Sequence, residues 1–298
     1  MTVTYGVSMG PDARPERWRD ERRWIRKGPG TPFRKLQTVG FLVRRDRAAV
    51  LAFLRAPYPV PIALRERIAL VRALMRATNA VRGYHTLTEI LTVADRILRL
   101  AGRPGLRVIE AGAGSGASTA KLSLVTKLAG GRLEVFDTFQ GIPDNDERHE
   151  LLDGRALRFS KGAFRGRLGA VRRRVAAHGA IDVCTFHKGA FEDTLPRFMG
   201  HVDVALLDVD LVASTRTCLR HLLPRMRPGG SLLSQDGHLR ATHDLLADRA
   251  FWQDVVERAP PYVHGLGHAK LLEIEAPFRE PRARDQGANR SRPVAPAR

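Results

Sequence analysis

Residues 106–128, LRVIEAGAGSGASTAKLSLVTKL, restrict what this chain can fold into more than any other stretch. Leu106, Val108 and Ile109 read as a buried strand, and Glu110 closes the run just before Gly112, Gly114 and Gly116. A strand that meets glycines at every second position gives way to a turn. Ser115, Ser118 and Thr119 are candidate caps of the helix that follows, whose apolar face is Leu122, Val125 and Leu128. Such a turn removes β-carbons, so that backbone N–H groups and a helix N-terminus can approach a ligand. Close packing alone would need the same glycines. The E-x-G-x-G-x-G spacing also differs from the dinucleotide fingerprint by one position. Glu110 would repel a pyrophosphate and suits a ligand with a cationic or hydroxyl-rich end.

The remaining strands follow in order. Arg132–Phe136 ends in Asp137, about 20 residues past the last glycine, the offset at which an acid accepts hydrogen bonds from ribose hydroxyls; a turn cap is its other reading. Residues 144–162 form a polar insertion able to cover a site, and Phe164, Leu168, Val171 and Val175 mark a helix. Asp182–His187 is a strand whose end, Gly189-Ala190-Phe191, suits a flat base or an ordinary turn. Val202–Leu207 ends in Asp208-Val209-Asp210. Carboxylates at i and i+2 on extended backbone share a face, and at a strand's carboxyl end they point into the crevice of an open sheet. They either hold a cation or divide their pKa values for proton transfer, unless Asp210 caps the helix near Ser214. After the turn Arg225–Gly230, the strand Ser231–Ser234 carries Gln235-Asp236-Gly237-His238, and Tyr262-Val263-His264 with Ala269–Ile274, flanking Gly265-Leu266-Gly267, suggests a closing antiparallel hairpin.

Ahead of this core, residues 1–58 are a basic arm in which Trp18, Trp24 and Phe33 lie among arginines, and the runs Phe41-Leu42-Val43 and Val50–Leu54 suggest partial order. Interleaved aromatic and Arg residues can grip single-stranded nucleic acid, or simply pack on the domain or a second subunit. Residues 59–103 form a helical lead-in or lid whose loop Arg82-Gly83-Tyr84-His85 can line a ligand mouth, and residues 277–298 a disordered basic tail. The formal charge of +19, from 50 Lys and Arg against 31 Asp and Glu, fits nucleic acid, an anionic membrane, an acidic substrate or plain compositional bias. The lone pair Cys184 and Cys218 excludes a disulfide framework and a Cys-based zinc site and points to the cytoplasm. No apolar run approaches the roughly 18 residues of a membrane span, and the start lacks a signal-type core.

With these elements placed, the chain resembles the class I S-adenosylmethionine-dependent methyltransferases, and within them the macrocin O-methyltransferase family of antibiotic biosynthesis. The resembling segments are Phe136–Pro143 (FDTFQGIP), Lys188–Pro196 (KGAFEDTLP), Leu207–Leu211 (LDVDL) with Ser214-Thr215, and Pro228-Gly229-Gly230. The resemblance covers residues 100–245 and implies an α/β fold, a Rossmann-like seven-stranded mostly parallel sheet with helices on both faces, here with a basic N-terminal extension in a domain spanning 104–276. It implies S-adenosylmethionine held at its methionine end by Glu110, Gly112, Gly114, Ser115 and Gly116, and at its adenosine end by Asp137, Thr138, Gly189, Ala190 and Phe191. It implies transfer to a hydroxyl of a small molecule, a sugar or aromatic group, by a homodimer. It also implies a divalent metal, usually magnesium, on Asp208, Gln235 and Asp236, with Asp210 or His238 as base. Gln235 stands where the family offers an acid, and an amide is a poorer ligand for a hard cation. Two other readings share these residues: a nucleic-acid methyltransferase using the arm, and a non-catalytic binding subunit.

Overall fold

The computed structural model describes residues 46–256 and 260–275; the arm up to residue 45, with Trp18, Trp24 and Phe33, and the tail from residue 276 lie outside them. Five parallel strands, β1 (Arg107–Ala111), β2 (Arg132–Asp137), β5 (Cys184–Lys188), β6 (Val202–Leu207) and β7 (Met226–Ser234), form the body of one sheet. The hairpin of β8 (Val263–His264) and β9 (Leu272–Ile274) closes it antiparallel, giving the order β5-β2-β1-β6-β7-β9-β8. Both faces of β6 are covered, and all of its residues are buried, as the continuous run VDVALL requires.

Alternation along the strands divides the core in two. Val108, Leu133, Val135, Val204 and Leu206 face α1 (Arg47–Arg55), α2 (Leu64–Ala80), α3 (Leu87–Leu98), α4 (Ala117–Leu128) and α5 (Leu168–His178). Ile109, Ala111, Phe136, Ala205 and Leu207 face α7 (Val212–Leu222), α8 (Arg240–Ala247) and α9 (Arg249–Val256), with the short α6 (Phe191–Thr194) at the rim. Phe53 of α1 is 3% exposed within the first core, so residues 46–58 of the expected arm pack as part of the domain body. Likewise α2 and α3 are core helices. A capping box, with Thr86 Oγ1 accepting from Glu89 N–H at 3.1 Å and Glu89 Oε2 accepting from Thr86 N–H at 2.7 Å, starts α3 just after His85.

Three expectations shift. The turn expected at Pro228-Gly229-Gly230 is a bulge inside β7: the pairing with β6 jumps from Val202↔Met226 to Val204↔Ser231. Asp182 and Val183 lie in a 3₁₀ turn, Ile181–Val183, ahead of β5. Phe164 lies outside α5, in a loop at φ +57° and 43% exposed. The insertion forms a small hairpin, β3 (His149–Glu150) with β4 (Ala156–Leu157), and seats Leu151 and Phe159 against Leu211 and Leu239. Among the described residues no helix is long and apolar enough to cross a membrane.

Candidate active site

The strand order reverses between β1 and β6, the place where an open α/β sheet leaves a crevice at its carboxyl edge. A cavity of about 640 Å³ opens there, ample for a small-molecule ligand. Its walls are the loop Arg82–His85, the turn Gly112–Ser115, the insertion through Leu151, Leu157 and Phe159, and the loop residues Phe164 and Arg165; Asp208, Asp210, His238 and Lys270 complete it.

The glycines of the turn serve different ends. Gly112, at φ +91°, passes so close to β6 that a β-carbon would sit 2.0 Å from the Asp208 carbonyl oxygen, and at Gly116 one would sit 2.9 Å from Val171. These two pack backbone against backbone and helix against helix. At Gly114 an added β-carbon would meet only the Phe164 carbonyl, at 3.7 Å. Gly114 lines the cavity, where a β-carbon would meet no close neighbour. Gly112→Ala combines backbone collision with a left-handed φ and is expected to destabilise the fold by about 3 kcal/mol or more; an unchanged urea midpoint would show that the turn yields. Gly116 itself is the left-handed cap of α4, without a side-chain cap, so the expected caps act elsewhere. Ser115 Oγ donates to the Arg82 carbonyl at 2.6 Å, tying the cavity loop to the turn.

Glu110 departs from its expected place. Its side chain is fully buried, it is not part of the cavity wall, and Ser118 and Thr119 lie beside it without closing hydrogen bonds of good geometry. Burial pushes its carboxyl up to about 8, so it is protonated at neutral pH. Asp137 also stands off the cavity wall: Oδ2 accepts from Ala113 N–H at 2.7 Å and Gly114 N–H at 3.0 Å, and Oδ1 from Phe139 N–H. Its carboxylate holds the glycine turn in shape. Thr138 Oγ1 donates to the Gly141 carbonyl at 3.0 Å within the next turn. Gly189 N–H donates to the Asp137 carbonyl at 3.1 Å, Ala190 precedes α6, and Phe191 packs against the second core, so this trio adjoins Asp137 outside the cavity.

Asp208 and Asp210 line the same cavity as the glycine turn. Backbone pairing brings them there, since Asp208 N–H donates to the Ala111 carbonyl at 2.9 Å. Asp210 has φ +62°, a strained conformation that Asp tolerates better than most residues and that often marks a functional position. It is no helix cap: Glu147, reaching from the insertion, accepts from Val212 N–H at 2.8 Å and Ala213 N–H at 3.0 Å at the start of α7. Beneath them Asp236 Oδ2 accepts from Val209 N–H at 3.2 Å and Asp210 N–H at 3.1 Å, fixing the turn that presents Asp210. Burial foremost, then the neighbouring Asp236 and Asp208, raise the Asp210 carboxyl well above the usual carboxylate range. His85 Nε2 lies 3.4 Å from Asp208 Oδ2. Burial, with Lys121 and Lys270 nearby, lowers its pKa far enough to keep it neutral.

The expected metal ligands do not fit a hard dication. Gln235 and Asp236 are fully enclosed and do not line the cavity with Asp208. One Asp236 oxygen is committed to two backbone amides, while Asp236 Oδ1 and both Gln235 amide atoms have no protein partner. Gln235 brings no charge, and magnesium demands near-octahedral oxygen ligation. Among the described residues no group of three or more His, Cys, Asp or Glu side chains is arranged to hold a metal ion. His238 does line the cavity. Lys270 and Phe164 are cavity residues that sequence patterning missed, whereas Phe159 comes from the insertion expected to cover a site. Only the flanking Gly162 and Gly166 signalled that Phe164 sits in a loop.

Residues 109–237 match the family described as "Methyltransferase domain". Over 153 residues the chain is 32% identical to the 8-demethyl-8-(2,3-dimethoxy-alpha-L-rhamnosyl)-tetracenomycin-C 4'-O-methyltransferase of Streptomyces olivaceus. That alignment covers 49% of this chain and 58% of the relative, so the chain spans less than two thirds of the curated relative's length. Among solved structures, the O-methyltransferase NovP superposes with a TM-score of 0.53 at 18% identity, over 81% of this chain and 98% of NovP. The calicheamicin methyltransferase CalS11 does so with 0.52 at 17% identity, over 79% and 93%. Both likenesses are of fold.

Proposed function

We propose, for a chain whose residues 109–237 match the methyltransferase-domain family, that the protein is an S-adenosylmethionine-dependent O-methyltransferase acting on a hydroxyl of a small molecule. The observation that carries this reading is a single cavity lined by both the glycine turn and the Asp210 carboxylate. The donor would lie against Gly112–Ser115 and the N-terminus of α4, where Gly114 presents no β-carbon to the cavity. When bound, its sulfonium supplies an activated methyl group.

The rest of the work falls to the chain. Asp210 takes the proton from the acceptor hydroxyl, which is a weak nucleophile at neutral pH. Asp236 fixes the backbone that aims it, and neutral His85 lies 3.4 Å from Asp208 beside it. Leu151, Leu157 and Phe159 cover the acceptor side and exclude water. The acceptor we infer is a sugar or aromatic group of a natural product, in keeping with the rhamnosyl-bearing tetracenomycin named for the relative. The free thiols of Cys184 and Cys218 suit the reducing cytoplasm as the place of work.

Calorimetric titration with S-adenosylmethionine, followed by mass spectrometry of glycosylated aromatic acceptors, tests this reading. Donor binding and one added methyl group on an acceptor oxygen are expected. No heat at millimolar donor would remove the enzyme assignment.

A further inference from the structure

Resting on the methyltransferase reading above, we propose that Lys270 supplies the fixed positive charge of the acidic cavity floor, and that transfer at this site runs without a divalent metal. Lys270 is held at both ends. Its carbonyl accepts from Gly237 N–H at 2.9 Å, between Asp236 and His238, and its Nζ donates to the Tyr84 carbonyl at 3.0 Å on the opposite rim. That bond uses one of the three ammonium hydrogens and leaves two for the cavity that Lys270 lines. Lys270 lines the same cavity as Asp208 and Asp210. Among the described residues no carboxylate forms a close ion pair with Nζ, so its free hydrogens face the cavity.

The same charge disfavours a dication. A resident ammonium repels a second cation, and the neutral amide of Gln235 withholds the carboxylate that would offset it. Lys270 is thus a positioning residue: its ammonium, tied to the Tyr84 carbonyl, orients a polar acceptor without touching the methyl carbon. The neighbouring Gly237 shows how tightly the segment is built in, since a β-carbon there would lie 2.4 Å from the Ala269 carbonyl oxygen.

The test compares the wild-type protein with K270M and K270R. In magnesium titration calorimetry the wild type is expected to show no binding heat at millimolar metal, a readout independent of donor and acceptor. Its turnover is expected to be unchanged by EDTA. K270M is expected to lose about tenfold or more in kcat with an unchanged donor Kd, and K270R to recover most of that loss, because charge rather than packing is at stake. Magnesium binding by the wild type, EDTA inactivation reversed by magnesium, or K270M turning over at the wild-type rate would each overturn the proposal. Should K270M fail to fold, K270R and the wild-type calorimetry still decide it. If S-adenosylmethionine does not bind at all, the enzyme reading fails while the metal titration still reports on the floor.

Discussion

Replacing Asp210 with asparagine is expected to lower kcat by about 10²–10⁴-fold, the range that loss of a positioned general base costs, with donor affinity within about twofold of wild type. Asparagine matches aspartate in size and, like it, tolerates the left-handed backbone seen at φ +62°, so the turn should survive. The backbone N–H of residue 210 keeps its bond to Asp236 Oδ2. What disappears is an oxygen able to take a proton. Because burial and the neighbouring Asp236 and Asp208 hold the Asp210 carboxyl well above the usual carboxylate range, the basic form gains population as pH rises. Wild-type kcat should therefore climb with pH on its acid limb, and the variant should lack that limb. Steady-state kinetics across pH, with donor binding measured separately, make the check. An Asn variant turning over at the wild-type rate, or one that has instead lost the donor, would exclude Asp210 as the base.

The sheet and its switch point were legible because strand periodicity, glycine spacing and end-of-strand acids are local signals. Asp208 and Asp210 reach the cavity for the same reason: their side chains follow from strand direction. Partners distant in sequence were not legible. Asp137 sits at the offset of a sugar-binding acid, yet its oxygens bond amides of the glycine turn 23 and 24 residues earlier, and spacing cannot distinguish backbone from ligand as the partner. Glu147 caps a helix 65 residues away, which freed Asp210 from the capping role that its position equally suggested. Phe164 fits the apolar helical step of Leu168 and Val171, but its positive φ leaves it outside the helix and at the cavity mouth. Glu110 was misplaced for another reason. A carboxylate at a strand end was assumed to be charged, whereas complete burial keeps it neutral.

That neutrality gives a second large effect, on stability. A carboxyl that titrates near 4.5 in the unfolded chain and near 8 in the folded one leaves the native state holding one more proton between those values. Stability is therefore full below about pH 4.5 and is lost as pH rises toward 8, by on the order of 5 kcal/mol in all. Lys121, buried nearby and lowered to about 8, acts in the opposite sense above that point, because the unfolded chain then binds the extra proton. Glu110→Gln keeps the shape and removes the titration. Its urea midpoint should match the wild type near pH 5, exceed it clearly at pH 8, and lack the wild-type decline between them. Subtracting the two curves isolates Glu110 from the other buried acids, which both proteins share. The variant should also bind S-adenosylmethionine as well as the wild type, since a protonated, enclosed carboxyl offers a cationic donor no charge. Parallel stability curves would mean that Glu110 ionises freely in the folded protein, and a loss of donor affinity would return it to the binding site.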